Sequence, residues 1–311
     1  MPVISIYNRC NNKCIMCTNP DKFWNGNKKE FNLSFLLNRL DRFYQGEKEF
    51  LEIHRDSFSF TGGEPTLSPY LIPLIEKINA LFYGKRVICL TNGRMFSYAD
   101  YAKRILQLGI NLELAIAIHG HNSKIHDSIT RTAKSFVQTT KGLHNIFRFK
   151  KKNHTIEIRV VMHQLNYKFL EKITRFIKKE FPSIDRLVFI FFEIEGQACK
   201  NIKAIKVTYS QLLPYIEKIR TFLHYFPEVR FYHFPLCVLP TKFYPYVWRT
   251  LPDREVSFLN NCRGCNLKQF CLGVHKGYLK YVGDSEFKPI KRKINIQEGC
   301  NWHHPILKVN P

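Results

Sequence analysis

A chain of 311 residues, 45% hydrophobic, can bury a substantial core as one large α/β domain or as a domain of about 200 residues with a smaller companion. Its longest apolar run, Leu187 to Phe192, is far too short to span a bilayer, and Met1 leads directly into Val3-Ile4-Ser5-Ile6 with no signal peptide, so a cytoplasmic protein with no membrane partner is expected. The formal charge of +23 admits nucleic acid or an acidic substrate, but the lysines are spread along the chain and no binding motif accompanies them.

Six apolar, β-branched runs bounded by turn residues follow in order: Val3 to Tyr7, Ser57 to Thr61, Arg86 to Thr91, Leu112 to Ile118, Thr155 to Met162 and Arg186 to Phe192. Amphipathic stretches separate them. Leu33, Leu36, Leu37, Leu40, Phe43 and Tyr44 keep helical spacing, as do Phe169, Leu170, Ile173, Phe176 and Ile177. Six alternations of strand and helix predict an α/β fold, a parallel sheet curled into a partial, TIM-like (β/α)6 barrel. After Gly196 a helix is expected from Ser210 to Tyr225 and a short strand at Val229 to His233, followed by an irregular, aromatic, cysteine-bearing remainder. The expected division is a core at 1–205 and a second region at 206–311.

In such a sheet, ligands sit at the carboxyl ends of the strands. The polar and glycine-rich words lie there: Asn8 to Cys17, Thr61-Gly62-Gly63-Glu64-Pro65, Thr91-Asn92-Gly93, His119-Gly120-His121 and Glu193 to Gly196.

Ten cysteines in a reducing compartment point to metal or redox use rather than disulfides. Cys89, Cys199 and Cys300 read as ordinary thiols; the other seven fall into two groups. Cys10, Cys14 and Cys17 have C-x3-C-x2-C spacing, which suits a zinc knuckle with a distant fourth ligand or an iron-sulfur cube with one iron left open. Cys237, Cys262, Cys265 and Cys271 make four thiolates, enough to saturate zinc or an iron-sulfur cluster. Gly62 and Gly63 let backbone approach a ligand, and Glu64 beside them can receive a cation.

Together, the triplet and Gly62-Gly63-Glu64-Pro65 resemble the radical S-adenosylmethionine (radical SAM) enzymes. The resemblance implies that Cys10, Cys14 and Cys17 hold a 4Fe-4S cluster, that S-adenosylmethionine binds its open iron, and that the Gly62 to Pro65 segment holds the methionine amino group. Met16 stands where the family often has an aromatic residue and can pack near the adenine. Asn92 and His119 sit where the family places contacts to the ribose or the methionine carboxylate, and Arg159 could pair with that carboxylate. For His119 and Arg159 a buried barrel histidine and a structural ion pair are equal alternatives.

The C-x2-C-x5-C of the second group resembles the auxiliary-cluster (SPASM or twitch) domains of peptide-modifying radical SAM enzymes, implying an auxiliary 4Fe-4S cluster. His275 stands where longer forms have a further cysteine, and an ordinary surface histidine is the favoured reading. Stretches such as "FTGGEPTL", "LTNGR", "IEIRVVMH" and "FPLCVLP" resemble the radical SAM maturase of the His-Xaa-Ser peptide system. That likeness implies a precursor peptide as substrate and an external electron donor of flavodoxin or ferredoxin type. The alternatives are a radical SAM enzyme acting on RNA and a non-catalytic zinc protein that binds nucleic acid.

Overall fold

The computed structural model describes residues 1–25, 28–51 and 55–310. Eight strands form one sheet in chain order: β1 (Val3–Tyr7), β2 (Ser57–Gly62), β3 (Arg86–Thr91), β4 (Asn111–Ala117), β5 (Thr155–Met162), β6 (Arg186–Phe191), β7 (Val229–Tyr232) and β8 (Val247–Trp248). Neighbours from β1 to β5 and from β6 to β8 pair in parallel. The longer helices between them are α1 (Leu33–Tyr44), α2 (Leu71–Leu81), α3 (Ala99–Leu106), α4 (Ser123–Thr130), α5 (Ser135–Phe149), α6 (Leu170–Glu180) and α7 (Tyr209–Leu223). This is the partial TIM-like α/β architecture expected from the alternation, extended by two strands. Val247–Trp248 is too short to carry a period, which is why no pattern marked it.

Compactness divides the chain into two units. One comprises Met1–Cys14, Asn19–Arg159 and Glu180–Asp185; the other comprises Ile15–Thr18, Val160–Lys179 and Arg186–Pro311. The border expected after residue 205 follows the motifs, whereas packing changes over within β5.

In the first unit the two faces of the sheet differ sharply. Ile4, Ile6, Phe58, Phe60, Val87, Cys89, Leu112, Leu114, Ile116, Ile156 and Ile158 are at most 1% exposed. They form the apolar face that flanking helices cover in a β/α repeat. Many of the alternate positions are small or polar, among them Ser5, Ser59, Thr61, Ala115 and Ala117. Ser5 pairs in register with Thr61, Leu90 with Ala115, and Ala117 with Arg159, and all of these except Ala115 are only half-buried.

Local signals start the helices. Asn32 caps α1 by accepting from Ser34 N at 2.9 Å, and the face with Leu36, Leu40 and Phe43 is buried. Thr208 and Gln211 form a reciprocal capping box at α7.

The second unit has an aromatic core. Phe191 stacks on Tyr209 with centroids 4.0 Å apart, Tyr209 lies 4.9 Å from Tyr278, and Phe234 and Phe287 close around them. Two short strands, β9 (Val256–Ser257) and β10 (Val274–His275), pair antiparallel, as do β11 (Ile296–Asn301) and β12 (His304–Val309). Arg249 ties the β11–β12 hairpin down by donating to Trp302 O at 2.9 Å and Gln269 O at 2.8 Å.

One packing point carries a prediction. Gly93, at φ +76°, starts the turn after β3, and a Cβ on Gly142 of α5 would collide with the Gly93 carbonyl. Gly142→Ala should therefore lower the unfolding free energy by about 2 kcal/mol, read by urea denaturation.

Candidate active site and four-cysteine pocket

The loop that begins after β1 carries Cys10 and Cys14 in the first unit. It is clamped at its start by the end of β2. Gly63 N donates to Tyr7 O at 2.7 Å and Glu64 N to Arg9 O at 2.8 Å, while Asn19 Nδ2 donates to Gly62 O at 2.8 Å. A Cβ on Gly62 would overlap Tyr7 O, and one on Gly63 would overlap Arg9 O; Gly62 also has φ +127°. Only glycine permits this approach.

Glu64 is fully enclosed and faces inward. Its Oε1 accepts from Thr66 N at 3.1 Å, Thr66 Oγ1 at 2.6 Å and Thr91 Oγ1 at 2.6 Å, and Oε2 accepts from Asn92 N at 2.7 Å. Burial raises its pKa from the ordinary carboxylate value, opposed by those donors. The side chain thus clasps the end of β2 to the end of β3, and Pro65 beside it is buried.

Asn92 passes this connection on to the cysteine loop. Its Nδ2 donates to Asn11 Oδ1 at 2.7 Å and lies 3.8 Å from Cys10 Sγ, which also accepts from Asn12 N at 3.3 Å. Arg94, which sequence reasoning did not single out, donates to Asn11 O, to Asn12 Oδ1 at 2.8 Å and to Gln138 Oε1 at 2.7 Å. Its signal was present in "LTNGR", but a partner more than eighty residues away leaves no local mark.

His119, after β4, is buried and stacks on His126 with centroids 5.8 Å apart. His119 N donates to His126 Nδ1 at 3.2 Å. Burial, then the neighbouring His126, lowers the His119 pKa to about 3, and burial, then Arg94, lowers the His126 pKa to about 4, so both rings are neutral near pH 7. Arg159 donates through Nε to Glu157, which is wholly buried on the same face of β5. Arg159 pairs in register with Ala117, so this pair lies on the face of the sheet opposite the apolar one.

In the second unit, the stretch Ile15–Thr18 is held by the turn after β6. Gln197 N donates to Cys17 O at 2.8 Å and Asn201 Nδ2 to Ile15 O at 3.1 Å, with Met16 buried between them. Neither Gln197 nor Asn201 was expected, though both lie in the "EIEGQACKN" stretch.

The second cysteine group converges. Cys237, Cys262, Cys265 and Cys271 all line one pocket walled by Pro235, Leu236, Phe258, Leu267, Val274 and Phe287. Gly273 N donates to Cys271 Sγ and Ile290 N to Cys265 Sγ, both at 3.4 Å. Burial first, then proximity to Cys271, pushes the Cys237 thiol up to about 12, and burial raises Cys271. Four crowded thiols in an apolar pocket ionise only if a cationic centre offsets their charge, so the donor set fits a thiolate-bound metal centre. Among the described residues no group of three or more His, Cys, Asp or Glu is spaced for one metal ion. In an iron-sulfur cube each thiolate takes a different iron.

His275 corrects its sequence reading. It is 6% exposed, not a surface side chain, because Gly277 lacks a Cβ and lets the ring lie close against that helix turn. It is absent from the lining of the cysteine pocket and turns Nε2 to Glu195 Oε1 at 3.3 Å. No helix among the described residues is long and apolar enough to cross a membrane.

Comparison with known proteins agrees with this geometry. The family model described as the Radical SAM superfamily matches residues 4–177. A GTP 3',8-cyclase from Picosynechococcus sp. is 30% identical over 148 residues, 45% of this chain and 41% of the relative, so the chain spans less than half of that relative's length. The crystal structure of Streptococcus suis SuiB shares the fold with a TM-score of 0.52 at 17% identity, covering 74% of this chain and 48% of SuiB. SuiB bound to its precursor peptide SuiA gives 0.51 at 17% identity, over 71% and 45%.

Two outcomes are expected. Glu64→Gln turns an amide N–H toward groups that are themselves donors, and should cost about 2 kcal/mol, seen as a lower urea midpoint. The histidine pair should make stability fall in acid. Because the folded pKa values lie below the unfolded value of about 6.5, the unfolded chain takes up protons first as pH drops. Stability is therefore level above pH 6.5 and declines by about 1.4 kcal/mol per pH unit per histidine below it, toward pH 4. Replacing His126 with Asn should flatten that slope in thermal melts run from pH 7 to pH 5.

Proposed function

Because the chain belongs to the radical SAM superfamily, we propose that it is a peptide maturase in which Cys10, Cys14 and Cys17 hold a 4Fe-4S cluster. That cluster and S-adenosylmethionine, given one electron by a flavodoxin- or ferredoxin-type donor, would supply a 5'-deoxyadenosyl radical that takes a hydrogen atom from an unactivated carbon. The chain's own residues bind, orient and exclude water. Asn12 N and Asn92 Nδ2 surround the Cys10 sulfur with N–H groups, which favours the thiolate. The half-buried main chain at Gly62 and Gly63 offers carbonyls for the methionine amino group, while Glu64 is committed to holding that turn. Pro65 and Met16 are apolar wall, and His119, being neutral, can only exchange ordinary hydrogen bonds with a ribose or carboxylate. Arg159, paired with Glu157 on the same face of the sheet as Ser5, Thr61 and Ala117, would supply the charge for the methionine carboxylate.

The observation that carries this reading is the glycine clamp, the close approach by which Gly62 and Gly63 fix the start of the cysteine loop against the end of β2. For Cys237, Cys262, Cys265 and Cys271 we propose an auxiliary 4Fe-4S cluster that accepts the second electron lost by the substrate. The shared pocket and its N–H···S donors support it. A ribosomally made peptide is supported by SuiB, solved with its precursor peptide SuiA. A nucleotide substrate is the second reading, favoured by the likeness to GTP 3',8-cyclase. Nucleic acid as a partner rests on the charge of +23 alone.

The test pairs metal analysis with product analysis. Anaerobically reconstituted protein should carry about eight irons per chain, and the double variant Cys262→Ala, Cys271→Ala about four. The variant should still form 5'-deoxyadenosine but lose oxidised or crosslinked peptide. Full product formation by the variant contradicts the auxiliary role, and turnover of GTP with none of the peptide favours the second reading.

A further inference from the structure

Two stretches of the second unit, 256–283 and 287–297, carry eight lysines and arginines and no aspartate or glutamate. In a chain with 25 acidic residues this is a local excess, not merely the general charge of +23. The fold lays the two stretches against each other. Asn266 N donates to Ile290 O at 2.9 Å, Asn266 Nδ2 to Lys291 O at 2.6 Å and Asn261 Nδ2 to Phe287 O at 3.0 Å. Glu286, just before the second stretch, accepts from Ser210 N at 2.7 Å and Tyr209 N at 3.3 Å, which pins it to the start of α7. Arg263, Lys268, Lys288, Lys291 and Arg292 are thereby gathered in one fixed region. All five are exposed, and among the described residues none makes an ion pair.

That region surrounds the four-cysteine pocket, which Lys268 and Lys288 themselves line. Phe258 is part of the same lining and is 41% exposed, with Lys268 Nζ 5.4 Å from its ring centroid. The pocket is also lopsided. Backbone N–H groups reach Cys237 from Lys288, Cys265 from Ile290, and Cys271 from Leu236 and Gly273. Among the described residues none reaches Cys262, whose neighbours Asn261, Arg263 and Gly264 are exposed, so Cys262 stands at the solvent side. A centre that accepts the substrate's second electron must give it up before the next turnover, and its acceptor has to come from solvent. Opposite charge steers such a partner, and a small apolar spot with a charged rim suits a brief encounter. A nucleic-acid strand would need a track of stacking aromatics, and Phe258 is the one exposed large aromatic side chain in these stretches.

We propose that Arg263, Lys268, Lys288, Lys291 and Arg292, set around Phe258, form the docking surface for a small acidic protein that carries one electron on a flavin. Each encounter moves one electron out of the auxiliary centre, which returns to its oxidised state. The oxidised flavin takes that electron with one proton from water and becomes the neutral semiquinone. The surface rests on the reading of the four cysteines as an auxiliary cluster.

The test titrates oxidised flavodoxin, an acidic flavin protein, into the anaerobically reconstituted full chain by isothermal calorimetry. Binding should weaken as salt rises from about 0.05 M to about 0.5 M. The triple variant Arg263→Glu, Lys288→Glu, Lys291→Glu should bind about tenfold more weakly. A control, Lys103→Glu, Lys141→Glu, Lys152→Glu, reverses three exposed cations of the first unit and should bind as the unaltered chain does. Thermal melts check that each variant is folded, and if the triple variant is not, Arg263→Glu alone and the salt comparison decide. In a dithionite-reduced Cys14→Ala chain, freed of excess reductant, only the auxiliary centre can hold an electron, and flavodoxin should be converted to its semiquinone, read by absorbance. Equal weakening by both triple variants, binding indifferent to salt, absence of the semiquinone, or tight binding of single-stranded RNA with none of flavodoxin overturns the proposal. About four irons per unaltered chain would undo the auxiliary reading, whereas a chain with about eight that fails to bind flavodoxin would undo the surface alone.

Discussion

Everything at the candidate active site hangs on the absence of two side chains. Gly62 and Gly63 bring the end of β2 so close to Tyr7 O and Arg9 O that a methyl group on either would force the strands apart. From that contact the order spreads outward through hydrogen bonds. Glu64, turned in by the same tight bend, fixes Asn92, and Asn92 and Arg94 fix the loop that carries Cys10. The buried carboxylate is expensive to desolvate and is tolerable only because four donors meet it. The arrangement is therefore rigid by necessity: loosening one member leaves a buried polar group unsatisfied. Rigidity of this kind is what a site handling a reactive radical requires, because the target carbon must be held and other hydrogen donors kept away.

Much of the frame was legible in the sequence, and the reasons are local. β1, β3 and β5 have the bounds expected, because Val3 to Tyr7, Arg86 to Thr91 and Thr155 to Met162 alternate or run apolar between clear turn residues. The family was legible too, because the spacing of Cys10, Cys14 and Cys17 with Gly62-Gly63-Glu64-Pro65 resembles a superfamily whose model matches residues 4–177. What stayed hidden depends on long-range partners. Arg94 reads as a surface arginine until it is seen donating to Asn11 and Asn12, and Glu64 reads as open to a cation until Thr66, Thr91 and Asn92 surround it. His275 was set beside the cysteines by its spacing, but Gly277 and Glu195, neither predictable as its neighbour, decide its burial. β8 was invisible because two residues carry no period.

The two cysteine groups differ in a way that matches different work. Three thiolates leave one position of a cube open to a ligand, whereas four close it. The four-cysteine pocket is apolar and supplies N–H groups to sulfur, and the auxiliary cluster proposed for it would be saturated by its four thiolates.

The central claim is that the loop bearing Cys10, Cys14 and Cys17 supports reductive cleavage of S-adenosylmethionine. The most direct measurement is chromatography of 5'-deoxyadenosine after the anaerobically reconstituted chain is mixed with S-adenosylmethionine and dithionite, beside a Cys14→Ala variant. The account predicts 5'-deoxyadenosine and methionine from the unaltered chain and none from the variant. Zinc in place of iron, with no 5'-deoxyadenosine from either, would contradict it.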